Sequence, residues 1–304
     1  MTGKDHLALR NTGRGVTLLW ELLLFFVLVL TVQLTEGIVS GVAAAVWGAA
    51  GGDWRTLTGL FATLPATAVL LLFCRYARGR SLRQTVGPLC RAWEYAVFAP
   101  LGIGLFAAVV GLCAAIGALR AEPNPDFAAG QWVLFLLGFL LQGANEEILC
   151  RGYFQGALLR DQKPWVAVTV NSAAFALLHL FNPDVSPLAL CNTFLFGVLM
   201  SLLTLRRGNL WGACAIHSLW NFAQGNLFGV RVSGLSVGPS PFLTEGGTDM
   251  TLWNGGDYGL EGGLAVTLCL LAAVAAITTA GRSAKRDRRR QERTAERGAP
   301  HTLG

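Results

Sequence analysis

Charge is what this chain has least of. Asp, Glu, Lys and Arg make up 14% of its 304 residues and apolar side chains 53%, whereas a soluble domain carries about 25% charged residues. A chain this poor in charge cannot solvate its own surface in water, which excludes an ordinary soluble enzyme or binding module. Cysteine gives a second exclusion. The seven residues, Cys74, Cys90, Cys113, Cys150, Cys191, Cys214 and Cys269, are odd in number, form no CxxC pair and fall mostly within apolar runs. They imply neither a disulfide framework nor a thiolate zinc site, and read as small apolar fillers. No internal repeat is visible, and the one low-complexity stretch is the charged segment 282–297, so we read one membrane domain. No small-residue cleavage site follows the first apolar run; the expectation is that Met1 is retained and that the first span is its own insertion signal. Only four histidines occur, so each position counts.

What the chain has instead is hydrocarbon-spanning length. Crossing about 30 Å of bilayer takes around 20 helical residues, and eight runs approach it: 15–35, 57–74, 94–118, 129–150, 165–182, 188–205, 210–228 and 262–280. The fold expected is an all-α polytopic membrane protein with about eight transmembrane helices. The run 38–50, rich in Gly and Ala, is too short and reads as a re-entrant or interfacial piece. Short cationic loops should alternate in side if the spans are right. All but Arg55, Arg120 and Arg231 of the 24 Lys and Arg then fall on one side, which places both termini in the cytoplasm and the protein in the cell membrane. Trp93, Trp132, Trp165 and Trp211 stand at span starts, where the headgroup layer favours amphipathic rings. The net charge of +6 comes from the basic tail, whose expected partner is anionic lipid and not nucleic acid. Three stretches follow: 1–128, N-terminal helices without an assigned role; 129–228, where the chemistry lies; and 229–304, an outer loop, a last span and the basic tail. The loop 229–261 reads as irregular, from its Gly, Ser and Pro.

Ionisable groups inside spans cost at least about 2.5 kcal/mol each on insertion scales. Spans one to three read as nearly free of them apart from Glu21 and Glu94, to which we give no catalytic role. In the later spans they gather as Asn145-Glu146-Glu147-Ile148-Leu149-Cys150-Arg151, Phe175-Ala176-Leu177-Leu178-His179 and His217-Ser218-Leu219-Trp220-Asn221. At about 100° per residue, Glu147 and Arg151 are i,i+4 neighbours able to form an ion pair, and Glu146 points elsewhere, roughly in line with Tyr153. His217 and Asn221 share a face, as do Phe175 and His179. Gly143, Gly152 and Gly156 would let neighbouring helices approach closely.

This set suits peptide hydrolysis. A carboxylate in a cleft can take a proton from water, a histidine can share the task, and a His/Asn pair can donate hydrogen bonds to an oxyanion. Glu146, His179 and His217 are alternatively candidate ligands of zinc, which takes N and O donors and keeps a position open for water; Asn221 fits that scheme less well. Taken singly, Glu147–Arg151 is as readily a structural ion pair, a membrane His an interhelical hydrogen-bonding group, and Phe175 packing. Co-occurrence in three spans argues for one site. Two rival functions stand beside a hydrolase. A proton-coupled transporter would use the same groups as a relay, though no duplicated halves are visible. A bacteriocin-immunity or scaffolding membrane protein would keep the fold without turnover.

The order EExxxR, FxxxH, HxxxN in successive hydrophobic segments resembles the CPBP family, the CAAX proteases and bacteriocin-processing enzymes also called Abi. Glu146, Glu147 and Arg151, then Phe175 and His179, then His217 and Asn221 match all three motifs, and the resemblance covers about 130–225. It implies an all-helical intramembrane endopeptidase acting on a hydrophobic peptide or a lipidated membrane protein. In it Glu146 with His179 activates water, His217 and Asn221 stabilise the oxyanion, and Glu147 and Arg151 support them. The family is commonly labelled metalloprotease, and its metal dependence is unsettled.

Overall fold

The structure, a computed structural model, describes residues 14–48 and 51–298; the side chains of 14–16, 47 and 282–298 lie outside that description. Eight principal helices follow in order: α1 (Arg14–Trp47), α2 (Asp53–Leu72), α3 (Trp93–Ala115), α4 (Trp132–Glu147), α5 (Pro164–Leu178), α6 (Pro187–Arg207), α7 (Trp211–Phe222) and α8 (Leu264–Gly298). Local chemistry marks their ends. Pro164 and Pro187 open α5 and α6 at the first turn, where a missing N–H costs nothing; the Ser186 hydroxyl caps α6 by accepting from the Ala189 N–H at 3.1 Å, and Gly208 closes it in the left-handed conformation at φ 68°. Trp93, Trp132 and Trp211 are the first residues of their helices, as their placement at span starts predicts.

Large apolar side chains cover the outside, Leu19 at 70%, Leu30 at 66% and Leu34 at 65% exposed on α1 alone. Such a surface belongs in lipid, and the protein is an all-α polytopic membrane protein. Among the described residues six helices have the length and hydropathy of a span: Thr17–Val46, Asp53–Ala77, Trp93–Ala115, Ala129–Leu158, Pro187–Arg207 and Leu264–Gly281. The other two expected spans are helical but short; α5 has 15 residues, about 22 Å at the helical rise. The count of eight spans is therefore unconfirmed. The segment 38–50 is not a separate re-entrant piece. Through Trp47 it is the end of α1, a single helix of 34 residues; Gly lowers helix preference without breaking the hydrogen-bond ladder, and Ala favours the helix.

The tight connections 179–186 and 208–210 turn α5 back into α6 and α6 back into α7, whereas the long segment 223–263 joins α7 to α8. One end of the bundle, the arginine end, gathers Arg75, Arg78, Arg80, Arg83, Arg91, Arg160, Lys163, Arg206 and Arg207; Lys4 and Arg10, and the side chains of Arg14 and the basic tail, lie outside the described residues. Here the two early glutamates are neutralised: Glu21 pairs with Arg78 and accepts from the Tyr153 hydroxyl, and Glu94 pairs with Arg91 and Arg207. At the opposite end the expected irregular loop 229–261 is partly ordered. Its strand β2 (Phe242–Gly246) pairs antiparallel with β1 (Leu119–Pro123), from Leu119 opposite Gly246 to Pro123 opposite Phe242. The paired residues are 119 to 127 positions apart in sequence, beyond the reach of turn signals.

Gly143 is where the central helices meet. A Cβ there would lie 2.5 Å from the Ser218 Oγ and 2.9 Å from its backbone N, so α4 and α7 touch backbone to backbone. After Glu147 the chain continues as a π turn, Ile148–Gln155. Gly152 and Gly156 within and after it pack against the Thr85 carbonyl and the Arg80 guanidinium rather than against a spanning helix. The wider π turn also changes the phase of the helix. Tyr153 consequently faces Glu21 and Arg78, and does not lie in line with Glu146.

Candidate functional site

The two adjacent carboxylates of α4 enter different surroundings. Glu147 is fully buried. Its Oε1 accepts from the Arg151 Nη1 at 2.9 Å and lies 2.8 Å from the His217 Nδ1. The Arg151 guanidinium also donates to the Gly197 carbonyl at 3.2 Å and stacks over the Phe175 ring, Cζ to centroid 4.4 Å. The i,i+4 ion pair expected from spacing is thus present, and its carboxylate serves a histidine as well. Glu146 turns the other way, with 27% of its side chain exposed. Its Oε1 accepts from the Gln142 Nε2 at 2.5 Å, and its Oε2 faces the His217 Nε2 at 3.7 Å without a hydrogen-bond partner among the described residues.

The histidines arrive from two short helices, one at a helix end and one within a helix. His179 is the residue that closes α5, and its Nδ1 is 3.0 Å from the Phe175 carbonyl. His217 sits within α7 under the edges of Phe196 and Phe175, ring centroids 5.1 and 5.9 Å away. Both Nδ1 atoms face acceptors, so each Nδ1 carries a proton and each Nε2 is left for chemistry. Phe175 lies between the two, 4.9 Å from the His179 ring; it is packing, and it also holds His179 through its carbonyl. One turn beyond His217, Asn221 is buried and its Nδ2 donates to the Gln142 Oε1 at 3.1 Å.

Glu146, His179, His217 and Asn221 line one cavity of about 660 Å³. Glu147 and Arg151 lie behind the wall. The cavity occupies the half of the bundle nearest the sheet, because α2, α5, α6, α7 and α8 all contribute from their sheet-end portions. Its walls extend past 129–228: Val29, Val32, Gln33 and Glu36 come from α1, and Val232, Ser233, Leu235, Ser236, Val237 and Glu261 from the segment before α8.

Three of these residues went unread in the sequence. Gln142 precedes Glu146 by four positions, a spacing that could have shown it. Glu36 was lost because the first span was ended at 35, so the statement that spans one to three hold only Glu21 and Glu94 needs correction. Glu261 belongs to the loop read as irregular; its Oε2 accepts from the Ser233 N–H and Oγ at 2.8 and 2.9 Å and its Oε1 from the Trp220 Nε1 at 3.2 Å, tying the loop to α7.

Glu146, His179 and His217 share the cavity, but no three His, Cys, Asp or Glu side chains among the described residues are grouped to hold a metal ion. The donors required by tetrahedral zinc with three protein ligands are not brought together among the described residues.

Residues 128–223 match the family of type II CAAX prenyl endopeptidase Rce1-like proteins. The match runs over α4 to α7, the helices that carry all three motifs, and is consistent with the CPBP resemblance. No curated protein matches the chain. The match implies a peptidase of the CAAX-protease type in an integral membrane protein.

Proposed function

We propose that the cavity is the active site of an intramembrane endopeptidase in which Glu146 activates water for attack on a peptide bond. The observation that carries this reading is the Glu146 Oε2, unpartnered and 3.7 Å from the His217 Nε2 at the cavity wall. That spacing lets both atoms hydrogen-bond to one water between them. Glu146 takes the water's proton as the oxygen attacks the carbonyl carbon. The oxyanion that forms is met by the Asn221 amide and by the Nε2–H of His217 in its doubly protonated form, whose ring and charge Glu147 holds through Nδ1. The proton then passes from Glu146 to the leaving amine, and His179, with Nε2 toward the cavity, shares in that transfer. Buried Glu147 and Arg151 take no part in proton transfer; they orient His217.

The substrate proposed is a hydrophobic peptide or a lipidated membrane protein. Val29, Val32, Leu60, Phe139, Leu149 and Leu178 form an apolar wall beside the polar groups and suit an apolar chain. The test is turnover of a quenched hydrophobic-peptide library by the purified protein and its Glu146→Gln form. Loss of cleavage in a variant that melts like wild type supports the assignment. Equal cleavage by both forms would overturn it.

A further inference from the structure

The hydrogen bonds around the cavity form one directional chain. Asn221 donates from Nδ2 to the Gln142 Oε1 at 3.1 Å, and Gln142 donates from Nε2 to the Glu146 Oε1 at 2.5 Å. An ionised carboxylate only accepts, so the Gln142 amide has one allowed orientation: nitrogen toward Glu146, oxygen toward Asn221. That orientation forces Asn221 to turn its own nitrogen to Gln142. The side chain of Gln142 joins the proposed base to the proposed oxyanion donor and lies on the cavity wall with both.

We infer that Gln142 is the positioning residue of this site, holding the Glu146 Oε2 toward the attacking water and the Asn221 amide toward the oxyanion. Glu146 has no other hydrogen bond among the described residues, and its Oε1 is held by Gln142 alone. Without that donor, nothing on α4 stops the carboxylate rotating about its terminal torsions, which are broad and soft. Asn221 likewise has Gln142 as its one side-chain partner among the described residues. Two groups that act on the two ends of one substrate carbonyl, Glu146 through the water at carbon and Asn221 at oxygen, are thereby held in register by a single amide.

The inference rests on the endopeptidase reading, and the two fail differently. Gln142→Met keeps length and bulk and removes both hydrogen bonds; Gln142→Glu keeps shape and removes the donor to Glu146. Losing one hydrogen bond to a charged group corresponds to about ten- to a hundredfold. Each variant should lose that factor in kcat while KM stays within about twofold, since a misdirected base leaves substrate binding intact. Asn221→Ala combined with Gln142→Met should cost less in kcat than the product of the two single effects, because both act through one chain. Melting temperatures near wild type complete the expected result. Wild-type kcat in Gln142→Met, a loss confined to KM, or strictly multiplicative effects would overturn the role of Gln142. Full activity of Glu146→Gln would instead overturn the reading beneath it.

Discussion

At the scale of single residues, the environments of Glu146 and Glu147 decide their roles. Glu147 is fully buried against Arg151 and His217, so removing it strands a guanidinium. Breaking a buried pair costs about 3–5 kcal/mol. Glu147→Ala and Arg151→Ala should each lower the melting temperature, and the double variant should cost less than the two together. Additive melting losses would show that the pair is not coupled. Glu147→Ala should also lower kcat, because His217 loses the acceptor for Nδ1. The motif residues were legible because hydrocarbon penalises each of them, which makes even short motifs informative. Their connections were less so. That Glu147 serves His217 depends on where α7 lies, a long-range fact, whereas Gln142 stood in plain helical spacing. Glu36 was hidden by a span boundary placed at 35, whereas the helix runs on to Trp47.

At the scale of elements, the approach of α4 to α7 through Gly143 is what lets an α4 carboxylate reach an α7 imidazole. Gly143→Leu drives side-chain atoms into Ser218, where even a Cβ would meet the Oγ at 2.5 Å. Overpacking of this kind costs about 1–3 kcal/mol. The variant should melt lower and lose turnover, while Gly104→Leu, where a Cβ meets nothing within 4 Å, should do neither; equal melting of the two would argue against the close approach. Helices were read well from hydropathy, since every apolar run is helical. Their lengths were not. The π turn at Ile148–Gln155 has no sequence marker, and it carries the helix of α4 on to Leu158, beyond the expected end at 150. The continuity of α1 through 38–47 was masked by Gly37 and Gly41, which a long helix tolerates.

At the scale of the whole molecule, the separation of cations gives an expected orientation. If the arginine end faces the cytoplasm, reporters fused after Gly304 should be active only in a cytoplasmic form. Activity of an export-dependent reporter there would reverse the topology. The cavity lies in the other half of the bundle, and that eccentric position acts as a ruler. On the endopeptidase reading proposed above, a substrate helix would advance about 1.5 Å per residue along the bilayer normal, so the bond presented to Glu146 would be chosen by its distance from one membrane surface. Selection of this kind counts residues from a surface anchor before it reads any side chain. A spanning segment lengthened at its sheet-end flank would offer a different bond to the same water, and one lengthened at the opposite flank would offer the same bond as before.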